Sequence, residues 1–198
     1  MIYFVQKIFP RVLKELGPIK LQIVGAEAGP EIKRLANDNV VVTGWVPDLT
    51  SYYNAARVFV APLRFGAGMN GKIGQSMSFG LPVVTTQLVA EGLGARGGEE
   101  ILIADDPEAF AAEVFAAYGD ETLWRRLSTA SRQFVSSHYT PEVVREGLRT
   151  LLAEQAATAL STSADRPASG SQNVGARKPR GVSVADLERS GDGVAEKA

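Results

Sequence analysis

The stretch "PLRFGAGMNGKIGQSMSFGLPVVTT", residues 62–86, decides how this chain folds. An apolar run, "VFVAPL" (58–63), leads into it, and a glycine-rich, basic loop follows. "GKIGQSMSFG" (71–80) then reads as a short helix closed by Gly80, and "PVVTT" (82–86) is a second apolar run. Short runs rich in β-branched residues on either side of a helix spell a strand–helix–strand unit. Strands apolar at consecutive positions are buried on both faces, as parallel strands are.

The same alternation extends in both directions. "KLQIVG" (20–25), "VVVTG" (40–44) and "ILIA" (101–104) read as further strands; "PEIKRLA" (30–36) and "LTSYYNAA" (49–56) read as helices. Upstream, Ile2, Val5, Ile8, Phe9, Val12, Leu13 and Leu16 recur at helical spacing over residues 2–16. Pro10 lies inside that run and predicts a kink or a break, and Gly17-Pro18 stops the helix. Downstream, three helices follow. Asp106-Pro107 is a cap with proline at the first helical position, Gly119 ends that helix, and residues 121–137 form the second. Thr140-Pro141 repeats the device and opens a third helix to about Leu160. The fold class implied is α/β, a doubly wound, Rossmann-like parallel sheet over residues 1–160. Residues 161–198 contain no aromatic side chain and are rich in Ser, Gly, Ala and charge of both signs, so a disordered tail is expected there. Its "ARKPR" (176–180) is either a weak anionic contact or simply solvated.

Composition narrows the function. The 198 residues carry 21 basic and 22 acidic side chains, and the net charge of −1 gives the chain as a whole no electrostatic footprint for nucleic acid. With no cysteine and one histidine, disulfides, thiolate metal sites and multi-histidine sites are excluded. No apolar run approaches the ~18 residues of a membrane span. The N-terminal residues read as an amphipathic helix and not a signal peptide, so a cytoplasmic location is expected. His138, in "SSHYT" before a helix cap, reads as a structural residue.

In open α/β sheets, ligands bind beyond the carboxyl ends of the strands, and the loop after Leu63 lies at such an end. Its glycines allow close backbone approach to a ligand. The N–H groups and dipole of the next helix favour an anion, and Arg64 and Lys72 add full positive charges. Two readings stand: a cradle for a phosphate or diphosphate, or a glycine-rich turn with two solvated cations. The loop lacks the Gly-Lys-Ser/Thr of a P-loop, and the first strand–helix turn of the chain lacks the dinucleotide fingerprint.

At this loop the sequence resembles the donor-binding segment of retaining glycosyltransferases of family 4, of the two-domain GT-B group. The similarity runs from about residue 2 to about residue 150. It is carried, in order, by "LQIVG", "VVVTGWVPDLTSYYNAARVFVAPLRFGAG", "GLPVVTT", "AEGL" and "ILIADDPEAFA". The resemblance implies the C-terminal, nucleotide-sugar-binding half of such an enzyme. In it, Gly66, Gly68, Asn70 and Gly71 would bring the loop backbone to the donor diphosphate. Arg64 and Lys72 would stabilise the departing nucleoside diphosphate. Gly25 would let the chain pass near the nucleotide, and the loop Gly44-Trp45-Val46-Pro47 would line the base. Trp45 is either a stacking platform there or a surface staple on the following helix. Glu91 is either a carboxylate near the donor sugar, or a turn residue or surface carboxylate.

Two positions depart from the pattern implied. Where many members carry two glutamates separated by seven residues, this chain has Ala67 and Gln75. Gln75 would meet the ribose hydroxyls without the charge-assisted bond. No Asp-x-Asp pair ends a strand, so neither a catalytic metal nor a cofactor is expected beyond the nucleotide-sugar substrate. The strand that should precede the first helix is also absent. In a sheet of order 3-2-1-4-5-6 it is central, between "KLQIVG" and "VFVAPL". A truncated reading frame is therefore expected, with a separate N-terminal acceptor domain as the partner. The alternatives are a non-catalytic nucleotide-sugar-binding or partner-docking domain, and an epimerase on a nucleotide sugar.

Overall fold

The computed structural model describes residues 1–26, 28–65 and 71–164. Met1–Ala153 form one compact unit and a second begins at Glu154; of the second, residues 154–164 are described, as helix.

The chain begins as helix, and Pro10 is absorbed without a break. A π-helical turn, Phe4–Ile8, runs directly into α1, Phe9–Leu16. Phe9 N–H donates to Phe4 O, a five-residue span. Pro10 has no N–H for the carbonyl four residues back, and the wider turn re-registers the ladder around that gap. The wide turn also re-aims the apolar face. Phe4, Ile8, Phe9 and Val12 are buried, whereas Val5, which strict helical spacing had put on that face, is only half-buried.

Five short parallel strands follow, as two sheets. β1 (Leu21–Val24) pairs with β2 (Val40–Gly44), and β3 (Phe59–Ala61), β4 (Val83–Thr85) and β5 (Leu102–Ile103) form the other sheet in the order β3-β4-β5. All three strand pairs are parallel. The connections are helical, as parallel pairing demands. They are α2 (Pro30–Lys33), α3 (Thr50–Ala55), α4 (Gly71–Ser78) and α5 (Gln87–Leu93). The two sheets share no strand pairing: β1 and β3 are each bonded on one side only. Among the described residues the parallel strands thus stand as β1-β2 and β3-β4-β5, with no pairing between β1 and β3.

The strands expected at 20–25, 58–63, 82–86 and 101–104 are shorter than their apolar runs. The helix α5 was not anticipated; "QLVAEGL" follows a strand so closely that its helical spacing is masked. Thr86 adopts an extended N-cap conformation, and Gly94 ends α5 in the left-handed region. α6 (Pro107–Gly119) and α7 (Glu121–His138) open as capped helices. Asp106 accepts from Glu108 and Ala109 N–H, and Asp120 from Thr122 and Leu123 N–H. α8 (Pro141–Ala164) opens with Thr140 Oγ1 accepting from Val143 N–H, and it continues past the boundary expected at 160. Residues 165–198, with most of the expected tail, lie outside the described residues.

The strands separate two apolar layers. One gathers Phe4, Ile8, Phe9 and Val12 with Val40, Val84, Leu102, Phe110, Val114 and Leu127. The other gathers Ile73, Met77, Val83, Val89, Leu93, Ile101 and Phe134. Alternation along β4 serves both: Val84 faces the first layer and Val83 the second. Thr85 is fully buried in the same strand, and its hydroxyl donates to Ala61 O at 2.9 Å. Among the described residues, no buried side-chain polar atom lacks a hydrogen-bond partner. No described helix is long and apolar enough to cross a membrane.

Candidate functional site

Gly25, Gly44 and Arg64 lie at or beyond the carboxyl ends of β1, β2 and β3. Gly25 follows β1, and its N–H donates to Gly44 O at 3.1 Å, tying the ends of β1 and β2 together. Gly44 closes β2 at φ +73°, a left-handed conformation that a side chain would strain. This turn swings Trp45 out to 72 % exposure. A ring so exposed is not packed onto α3 as a staple would be. After β3, Thr86 Oγ1 donates to Leu63 O at 2.6 Å and fixes the start of the basic loop against the end of β4. Gln87 N–H donates to Asp105 Oδ1 at 3.0 Å, which brings the segment after β5 to the same edge.

Arg64 stands at the exit of β3. Its guanidinium carbon lies 4.8 Å from the centroid of the Tyr3 ring, a cation–π contact that holds the planar head against the N-terminal helix. Lys72 is exposed in the first turn of α4, next to Gly71, the first residue of that helix. Among the described residues neither cation has a carboxylate partner. Gly66, Gly68 and Asn70, and with them Ala67 and Met69, lie outside the described residues. Phe65, 86 % exposed beside Arg64, is a second outward-facing aromatic that the sequence reading left unassigned.

Gln75 lies on α4 with its side chain held from α3, where Tyr53 O–H donates to Gln75 Oε1 at 3.4 Å. Tyr53 is buried, its ring stacked on Phe79 at 4.9 Å, and burial pushes its phenol above the ordinary value. Neither Tyr3 nor Tyr53 was identifiable from sequence, because each reaches its partner across the fold.

Glu91 is a surface carboxylate on α5, exposed, with Oε1 accepting from Gln87 Nε2 at 2.9 Å. His138 is structural: its ring stacks on Phe134 at 4.6 Å, and Nδ1 lies 2.9 Å from Phe134 O at the end of α7. Among the described residues, no group of three or more His, Asp or Glu could hold a metal ion.

Residues 1–120 match the family model described as glycosyl transferases group 1. The chain belongs to this family. A curated relative, an uncharacterized 44.6 kDa protein of the cps region of Klebsiella pneumoniae, is 27% identical over 153 residues, covering 73% of this chain and 39% of its own length. Two solved structures share the fold. The Anabaena protein HepE, in complex with UDP, superposes with a TM-score of 0.65 at 13% identity, over 75% of this chain and 44% of its own. The pneumococcal O-GlcNAc transferase GtfA, in complex with UDP and GlcNAc, gives a TM-score of 0.62 at 17% identity, over 76% of this chain and 32% of its own. The chain is thus a group 1 glycosyltransferase domain of GT-B type, and it spans less than half the length of these relatives.

Proposed function

We propose that this domain holds the diphosphate of a nucleotide-sugar donor in a retaining, family 4-type hexosyltransferase reaction. The observation that carries the reading is the pair of carboxylate-free cations, Arg64 and Lys72, on the strand–loop–helix unit at the carboxyl end of β3. When the bond from the anomeric carbon to the diphosphate breaks, negative charge develops on the departing phosphate oxygen. Arg64, pre-oriented on Tyr3, and Lys72, with the N-terminal amides of α4, would be aimed at that charge, and no metal is invoked. Gly66, Gly68, Asn70 and Gly71 would bring the backbone close to the phosphates. Gly25 and Gly44 would border the nucleoside, and Trp45 would stack on the base. Glu91 would meet the sugar. UDP in both named structures supports a uridine nucleotide.

Gln75 would contact the ribose. Tyr53 O–H takes one lone pair of its oxygen, so the amide keeps one further acceptor site and two N–H donors for the ribose. A carboxylate here could accept from Tyr53 and from the ribose together. Gln75→Glu should therefore tighten donor binding by about 1 kcal/mol, the difference between charged and neutral hydrogen bonds. Weaker binding would show a site remodelled around the amide.

The deciding measurement is calorimetric titration of the chain with UDP. Lys72→Ala should weaken binding by about 1.5–3 kcal/mol, the range for a hydrogen bond to a charged group. Equal affinities of mutant and parent would place the phosphates elsewhere. Sugar transfer would require an acceptor-binding half as partner. Holding two reactants in near-attack geometry supplies ~7–11 kcal/mol of such a barrier, so the 198-residue chain alone should bind donor without efficient transfer. The second reading, a non-catalytic nucleotide-sugar-binding domain, is favoured by Gln75 at a glutamate position. It would be upheld if donor binds but no transfer appears when an acceptor-binding half is supplied. A cytoplasmic location and a dispensable tail from 161 onward belong to the same proposal.

A further inference from the structure

The cation that would meet the departing diphosphate is held by an element outside its own loop. Tyr3 precedes the π-helical turn Phe4–Ile8 and is half-buried against the layer of Phe4, Ile8, Phe9 and Val12. Its neighbour Phe4 is 1 % exposed, with its ring centroid 6.1 Å from that of Phe9 and 5.8 Å from that of Phe110. The chain beside Tyr3 is therefore fixed in the core, and the Arg64 guanidinium lies over the Tyr3 ring at 4.8 Å. The other flank of this contact is fixed as well. Leu63, next to Arg64, accepts from Thr86 Oγ1 at 2.6 Å, and its N–H donates to Ala61 O at 2.8 Å. Among the described residues, Arg64 makes no hydrogen bond and no ion pair.

A carboxylate in the place of Tyr3 would cancel the charge of Arg64 and take up its N–H donors. A π face attracts the cation and leaves its charge and its hydrogen bonds to oxygen available for an anion. A free arginine side chain has many rotamers to lose when it closes on a ligand, and a braced one has already lost part of that freedom. We propose that Tyr3 is a positioning residue of the donor site. Through its ring face, and not its hydroxyl, it holds Arg64 oriented and un-neutralised for the donor's phosphates. The inference rests on the reading of Arg64 as a phosphate-binding residue, and it adds to that site a component contributed by the N-terminal helical segment. Tyr3 acts only through Arg64.

Two measurements on the full 198-residue chain test it. Without ligand, the Arg64 Nε–H resonance should carry a ring-current shift that Tyr3→Phe keeps and Tyr3→Leu abolishes. With UDP as the probe in calorimetric titration, Tyr3→Leu should weaken binding by about two- to fivefold, the worth of an exposed cation–π contact. Tyr3→Phe should bind UDP as the parent does. In an Arg64→Ala background, Tyr3→Leu should have no further effect. Lost affinity in Tyr3→Phe, a Tyr3→Leu effect that persists without Arg64, or an Arg64 resonance indifferent to Tyr3→Leu would overturn the brace. So would unchanged affinity in Tyr3→Leu where Arg64→Ala weakens UDP binding. Unchanged affinity in Arg64→Ala would instead refute the phosphate-binding reading of Arg64, whatever the resonance shows, and the positioning role would fall with it.

Discussion

β4 and β1 are both parallel strands of three or four apolar-rich residues, yet the fold treats them differently. β4 is bonded on both edges, and each of its residues is buried. β1 is bonded on one edge; Gln22 is exposed and its three other residues are half-buried. On the β2 side of the pair, Val41 is 42 % exposed. A strand gains its stability from neighbours on two edges and two faces, and β1 has lost one edge and most of one face. The molecule therefore has a closed half, β3-β4-β5 with α4 to α7, and an open half, β1-β2 behind the N-terminal helix.

The largest test of that contrast is truncation of one core side chain in each half. Met77 is fully buried on α4, and Met77→Ala should cost about 2–5 kcal/mol in denaturant unfolding. Ile23→Ala, at a half-buried site on β1, should cost about 1 kcal/mol. Equal losses would mean that the open half is as tightly held as the closed one.

Two glycines sharpen the same comparison at smaller scale. Gly80 (φ +75°) ends the α4 segment, where an added Cβ would collide with Arg132 Nε. That arginine donates to Phe79 O at 2.9 Å. Gly80→Ala combines left-handed strain with loss of this bond, about 2–3 kcal/mol. Gly44 (φ +73°), in the open half, has nothing within 4 Å of an added Cβ. Gly44→Ala should carry the strain alone, about 1–2 kcal/mol. A reversed order in thermal unfolding would break the distinction.

The smallest expected effect is that of acid, and it falls on the closed half. Burial would raise the Glu100 carboxyl, but the Arg96 guanidinium and the Arg96 N–H outweigh it and hold the group below the ordinary 4.5. Glu121 is likewise held below 4.5, by hydrogen bonds from Arg57 and then Arg125. Carboxyls depressed in the folded state stabilise it above their ordinary values, and the contribution disappears as pH falls through the depressed ones. Unfolding followed in urea should therefore show no dependence on these groups near neutrality and a loss below about pH 4.5. In Glu100→Gln that acid-dependent loss should shrink; an unchanged acid slope would remove Arg96–Glu100 from the account.

Much of the fold was legible in the sequence because it depends on neighbours along the chain. Short apolar runs located all five strands, and Asp106-Pro107 and Thr140-Pro141 marked helix starts. What escaped depends on partners distant in sequence. Phe4 joins the core because Pro10 forces a π-helical turn that shifts the face. α5, which carries Glu91, was hidden by a strand ending next to it.

The sequence by itself determined the strand–helix alternation, the family and the placement of Arg64 and Lys72 around one loop, since composition and spacing set these locally. Only the tertiary structure decided that Tyr3 braces Arg64 and that Tyr53 donates to the Gln75 oxygen. Those outcomes depend on which side chains meet across the core, and chain connectivity does not specify such meetings until burial and hydrogen bonding select one packing.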